Sequence, residues 1–123
     1  CLPPPRFCMR HDRLWLTDIL TAASEIERFL EDCPQEAFLE DSLRRSGVLQ
    51  QLTVIGEAAA QISSDLRQRY TEIKWVRIIA FRNRAVHAYF NIDWIIVWDT
   101  ATLNVPDLAS LIASILEQEF PQE

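Results

Sequence analysis

VLQQLTVIGEAAAQISSDL, residues 48–66, repeats apolar side chains at Val48, Leu52, Ile55, Ala59, Ile62 and Leu66. Steps of four and three follow the 3.6-residue turn of an α-helix, not the two-residue alternation of a strand. The same period extends outward in both directions. Trp15, Ile19, Ala22, Ile26 and Phe29 predict a helix from about Arg10 to Glu31, which Cys33-Pro34 ends because proline disfavours helix in the residue before it. A shorter helical piece from about Glu36 to Arg45 leads into the 48–66 face, with a kink expected at Ser46-Gly47. Trp75, Ile78, Ile79 and Phe81 predict a third helix over about Lys74 to Val86. A fourth covers about Asp93 to Leu103, with Ile92, Ile95, Ile96 and Trp98 expected inside. Pro106 marks a break, and Val105-Pro106-Asp107 opens a last helix striped by Leu108, Leu111, Ile112, Ile115 and Leu116. The pattern predicts an all-α, up-and-down bundle of about five helices with short connections.

Composition agrees. Of 123 residues 49% are apolar and two are glycine, which suits a helical core and not a turn-rich sheet. Gly56, followed by Ala58, Ala59 and Ala60, marks a close helix–helix approach. Residues 1–9, with Pro3-Pro4-Pro5, read as a flexible upstream extension, and 10–123 as the single domain. Cys1, Cys8 and Cys33 form no even framework, which fits a reducing cytoplasm. No apolar run approaches a membrane span.

The net charge of −6 argues against indiscriminate binding to nucleic acid. Its distribution is uneven. From Arg67 to Arg84 six bases face one acid, Glu72, so the window carries +5 and the remainder −11. Such a strip can hold a phosphate backbone locally, or can be a solvated helix face.

Within that window begins Arg82-Asn83-Arg84-Ala85-Val86-His87-Ala88-Tyr89. Arginine offers five donors in a fixed fork, and histidine moves a proton near pH 7. Together they suit RNA cleavage without a metal. A base draws the proton from the ribose 2′-hydroxyl, a cation stabilises the phosphorane oxygens, and an acid protonates the leaving 5′-oxygen. His87 suits proton transfer and Arg82 charge stabilisation. Asn83 can orient the imidazole or touch phosphate, and Arg84 and Arg77 extend the basic surface. Tyr89 can bind substrate or accept a modification. The bland alternatives are a structural histidine at a helix end, solvated arginines and core aromatics. His11, among Arg10, Asp12 and Arg13, reads as a charged turn. The two histidines form no zinc pattern, and no carboxylate pair or phosphate loop stands out, so no cofactor is expected. One geometric difficulty remains. Five helical steps set Arg82 and His87 about 140° apart, whereas Asn83 and His87 share a face. Either the helix ends near His87 or another chain completes the site.

Arg82-x4-His87-x-Tyr89, with Asn83 after the arginine, resembles the R-x(4–6)-H-x-Y signature of HEPN ribonucleases, and most closely the HepT toxins of HepT/MntA (HEPN/MNT) toxin–antitoxin modules. Asp12-Arg13-Leu14, Ile55-Gly56-Glu57-Ala58-Ala59 and Trp98 add to a likeness running from about Arg10 to Glu119. Ala88 stands where a glycine is common. The resemblance implies a metal-independent endoribonuclease working as a homodimer, with two motif segments facing across one cleft. It further implies a cognate MNT-type nucleotidyltransferase antitoxin that adds AMP to the motif tyrosine, here Tyr89. Added phosphate beside Arg82 and His87 would disable the site. A different class is a non-catalytic helical partner that binds a nucleotidyltransferase or a nucleotide through the same groove. A dimer is also expected because Trp75, Tyr89, Phe90, Trp94 and Trp98 crowd a short region.

Overall fold

The computed structural model describes residues 6–121 apart from 88–90; of residues 6–10, 86 and 87 it describes the backbone alone. The architecture is all-α. Seven α-helices follow one another among the described residues: α1 (Arg6–Phe29), α2 (Gln35–Glu40), α3 (Ser42–Gln61), α4 (Ser64–Arg69), α5 (Trp75–His87), α6 (Trp94–Asp99) and α7 (Val105–Glu119). A π turn, Thr100–Asn104, joins the last two. Helix α3 is central, with α1 against one side and α5 against another, while α7 returns to α1. The expected stripes form the core: Ile19, Ala22 and Ile26 of α1, Val48, Leu52, Ile55 and Ala59 of α3, and Ile112 and Ile115 of α7 are all buried.

Helix α1 begins at Arg6, four residues before the expected Arg10 and within the stretch read as an extension; two other helix ends also differ from expectation, each for a local polar reason. The chain does not kink at Gly47, which lies inside α3 with the Phe29 ring 3.3 Å from where a Cβ would stand. It breaks six residues earlier, at Asp41, whose backbone is extended and whose carboxylate accepts from the Arg44 N–H at 3.0 Å. That is an N-cap, and it satisfies a donor the first turn leaves open.

The 48–66 face is likewise two helices. Ile62 and Ser63 are extended, and Ser63 caps α4 by accepting from the Leu66 N–H at 3.2 Å. Asp12 of α1 holds this break. It is 6% exposed and so no part of a solvated charged turn. Its two oxygens accept from the Ser63 N–H at 2.9 Å and the Ser63 hydroxyl at 2.6 Å. Asp12→Ala strands both donors in a closed environment. The expected loss is about 1–3 kcal/mol of stability, read as a lower urea midpoint at unchanged slope. A midpoint equal to wild type would remove Asp12 from the account of this break.

Pro106 does not separate two helices. From Trp94 to Glu119 the chain is one helix interrupted by the π turn, where the Val105 N–H reaches back to the Thr100 carbonyl. Proline carries no N–H and its ring crowds the carbonyl four residues back, so the wider turn admits it. Thr100 and Thr102 return their hydroxyls to the Ile96 and Trp98 carbonyls, both at 2.8 Å. The inward side also differs from expectation. Val97 and Ala101 are buried, whereas Ile95 and Ile96 are 51% and 50% exposed. Trp98 fixes this rotation by packing on Phe38, with ring centroids 5.3 Å apart. By length and mean hydropathy residues 94–119 are sufficient to cross a bilayer. However, Asp99, Asn104 and Asp107 fall within them and Val105, Ile112 and Ile115 face the core, so this is a bundle helix.

Of the aromatics crowded in this region Trp75 is buried, and Trp94 and Trp98 are partly buried against the core of the same chain. Trp75 is buried and donates its indole N–H to the Tyr70 carbonyl at 3.1 Å, and Trp94 lies under the Arg45 guanidinium at 5.1 Å. Tyr89 and Phe90 lie outside the described residues.

A polar clasp ties α4 to the end of α7. The Tyr70 hydroxyl donates to Glu119 at 2.6 Å, and Arg69 reaches the same carboxylate at 2.8 Å while pairing with Asp65. The bond to Glu119, then burial, pushes the phenol up to about 12. Because the folded value lies above the ordinary 10, this stabilisation is complete below pH 10 and is lost as the pH rises from 10 to 12. Thermal melts of wild type and Tyr70→Phe should therefore converge over that window. A constant difference between them across the window would refute the assignment.

Candidate functional site

Helix α5 carries the motif. Its buried side is set by Trp75 and Ala85, with Ile78 partly buried between them. Arg82 lies on this same side, four residues from Ile78 and seven from Trp75. It therefore faces α3, at Gly56. A Cβ placed on Gly56 would stand 2.3 Å from the Arg82 Cβ and 2.8 Å from its Cγ. The small-residue run of α3 is a close helix approach, as expected, and the residue it admits is the motif arginine.

The next residue of α3 holds the charge. Glu57 Oε1 accepts from Arg82 Nη1 at 2.5 Å, with the arginine side chain 23% exposed and the glutamate 51%. Arg82 Nε is buried with no hydrogen-bond partner. The guanidinium is thus partly stripped of water and held by one half-exposed carboxylate. The half-exposed carboxylate is the open side of the pair, where an acceptor of equal charge such as a phosphate could take the place of Glu57. Glu57 was given no role by the sequence reading. Its signal was an acid directly after a mid-helix glycine, the place where a neighbouring helix comes nearest.

The remaining motif residues do not gather at Arg82. Helix α5 is continuous through His87, so the two backbone positions stay about 140° apart. Asn83 is exposed and lies one turn before His87 on a second face. Arg77 and Arg84, two turns apart and both exposed, lie with exposed Lys74 along a third. The basic window thus resolves into parts. Arg69 is spent in the α4–α7 clasp, Arg82 is paired with Glu57, Arg67 is partly buried, and Lys74, Arg77 and Arg84 form the solvent-facing row. The His87 side chain and all of Tyr89 lie outside the described residues. Among the described residues no group of three or more His, Cys, Asp or Glu side chains is placed to hold a metal ion.

The family model "Ribonuclease HepT-like" matches residues 19–115, from the middle of α1 almost to the end of α7 and across the whole Gly56–Arg82 contact. The chain belongs to the HepT-like ribonuclease family. It is 33% identical over 99 residues to "Probable ribonuclease HepT" of Thermococcus cleftensis, covering 80% of this chain and 90% of that one. It is 31% identical over 108 residues to "Putative RNase MJ0125" of Methanocaldococcus jannaschii, covering 88% and 93%. "Putative RNase MJ1380" of the same organism is 31% identical over 99 residues, covering 80% and 91%. No solved structure matches the chain. The described geometry thus presents a partly desolvated guanidinium on one side of α5 and, by helix rotation, sets the His87 backbone position on another.

Proposed function

We propose that this HepT-like chain is the toxin of a toxin–antitoxin module, a metal-independent endoribonuclease that assembles its site from two copies. The observation that carries the reading is the unbroken α5. It turns Arg82 toward Gly56 and Glu57 and carries His87 to a different face, so one chain alone offers no common approach to a phosphate. Two motif segments facing across a cleft remove the difficulty. Val76, Ile96 and Leu103, between 50% and 79% exposed, supply apolar surface for such a contact.

In that cleft Arg82 leaves Glu57 and takes the non-bridging phosphate oxygens. One imidazole of His87 accepts the proton of the ribose 2′-hydroxyl. The 2′-oxygen bonds to phosphorus, the bond to the 5′-oxygen breaks, and a protonated imidazole returns a proton to the leaving oxygen. The products are a 2′,3′-cyclic phosphate and a 5′-hydroxyl. Asn83 orients His87 from one turn away, and Arg77 and Arg84 hold flanking phosphates. Tyr89, two residues past His87, is the acceptor for AMP from an MNT-type nucleotidyltransferase antitoxin. The added phosphate would compete for Arg82 and block the cleft. The setting is the cytoplasm.

The test is RNA cleavage by purified protein in excess chelator, with product ends analysed and mass checked at Tyr89. Cyclic-phosphate ends from unmodified protein are expected, together with a dimer in sedimentation. An unmodified dimer that leaves RNA intact would overturn the ribonuclease reading in favour of a non-catalytic partner of the nucleotidyltransferase.

A further inference from the structure

Helices α5 and α7 both lean on the central bundle without packing closely on one another. Between them lies a cavity of about 390 Å³, floored by Leu52 and Ile55 of α3 and walled by Phe81 of α5 and Leu111 of α7. Lys74 and Arg77 stand at its α5 rim, and Thr100 and Asn104 of the π turn stand opposite. Glu72 and Asp107 also line it.

We infer that this cavity is a base-binding subsite, taking one nucleobase of an RNA strand while Lys74 and Arg77 hold the adjoining phosphate; the inference rests on the ribonuclease reading. Sites for small ligands run from about 300 to 1,000 Å³ and combine apolar walls with a few placed polar groups, and this cavity has that size and lining. Phe81 offers an aromatic surface on which a base can stack. Asn104 carries a donor and an acceptor, the pair needed to read a base edge. Lys74 and Arg77 belong to the solvent-facing basic row, so the strand that fills the cavity continues along α5. Phe81 neighbours Arg82 along α5, about 100° round the helix from it. The rim carboxylates discourage a bare phosphate from entering. They accept well from an exocyclic amine, which adenine, cytosine and guanine carry and uracil lacks. The rival occupant is a side chain from a second copy.

The experiment is a titration of the full chain with AMP, CMP, GMP and UMP, followed by amide resonances at Phe81, Asn104 and Leu111. Wild type, Asn104→Leu and Arg77→Ala are compared. Asn104 is exposed, so its exchange should leave the thermal melt unchanged. Saturable shifts at these three residues are expected with the amine-bearing nucleotides, weaker with UMP. Asn104→Leu should weaken binding about tenfold, because the base edge is then left unpaired. No shift up to about 10 mM, or shifts indifferent to both exchanges, would overturn the subsite. Shifts that follow protein concentration instead of nucleotide would overturn it as well, assigning the cavity to a second copy. Chelator-resistant cleavage by the same preparation is scored separately. Cleavage without nucleotide binding would leave the ribonuclease reading and remove the subsite, and binding without cleavage would do the reverse.

Discussion

His87→Ala is expected to end RNA cleavage, lowering the single-turnover rate about 10²–10⁴-fold, the range a positioned acid or base contributes. His87 is the motif residue whose ordinary titration falls near neutrality; the other histidine of the chain, His11, lies on α1. Its exchange should not disturb the fold. On the continuous α5 the His87 position falls about 140° round from Arg82, off the Trp75–Ala85 side that packs on the bundle. The thermal melt and the sedimentation profile should therefore match wild type while activity disappears. Arg82→Lys tests the other half of the site. It keeps the charge and loses the two-pronged geometry, so the rate should fall while RNA binding persists. Unchanged single-turnover rates in His87→Ala would remove the motif from the chemistry.

The second large effect is expected from Gly56→Ala, where two terms oppose each other. Alanine gains roughly 1 kcal/mol of helix propensity over glycine. Against this, its methyl meets the Arg82 Cβ at 2.3 Å and the Ile78 carbonyl at 3.3 Å. Those atoms belong to, or are fixed by, the α5 backbone, so no change of rotamer relieves the contact. Overpacking of this kind costs about 1–3 kcal/mol, more when helices must separate. The net sign is destabilising, with a fall in Tm of several degrees for a domain of this size. Activity should fall beyond what stability explains, because the displaced element carries Arg82. A Gly56→Ala protein with raised Tm and full activity would show that the α3–α5 contact yields easily.

Periodicity was enough to locate the four long apolar stripes, because burial of one helix face leaves its mark at every third or fourth residue. It could not place the breaks at Asp41 and Ser63. Those depend on where a side-chain oxygen meets a backbone N–H, and at Ser63 the partner, Asp12, lies 51 residues away. Nor could it foresee which side of α6 turns inward, since Ile95, Ile96 and Val97 are equally apolar and the contact between Trp98 and Phe38 decides. At the site, Gly56 announced a close approach but not to what. The pairing of Arg82 with Glu57 follows from the relative rotation of two helices, which a linear pattern does not contain. The separation of Arg82 from His87 was legible from helix geometry alone, and the structure retains it up to the end of α5.

A π turn contains one residue more than the α-helix it interrupts. If one position were deleted between Asp99 and Val105, the chain could spiral on without the bulge. Val97 and Ala101 would still share a side with Ile112 and Ile115. Pro106 would then lie in a plain α-helix, its ring against the carbonyl one turn back, at a penalty of about 3 kcal/mol. Loss of the proline alone would leave the surplus residue held out only by the packing of Val97 and Ala101 before it and of Ile112 and Ile115 after it. Chain length at this junction and the identity of residue 106 are thus one coupled trait. A deletion and a proline replacement are compatible together, and each alone strains the helix that carries Asn104.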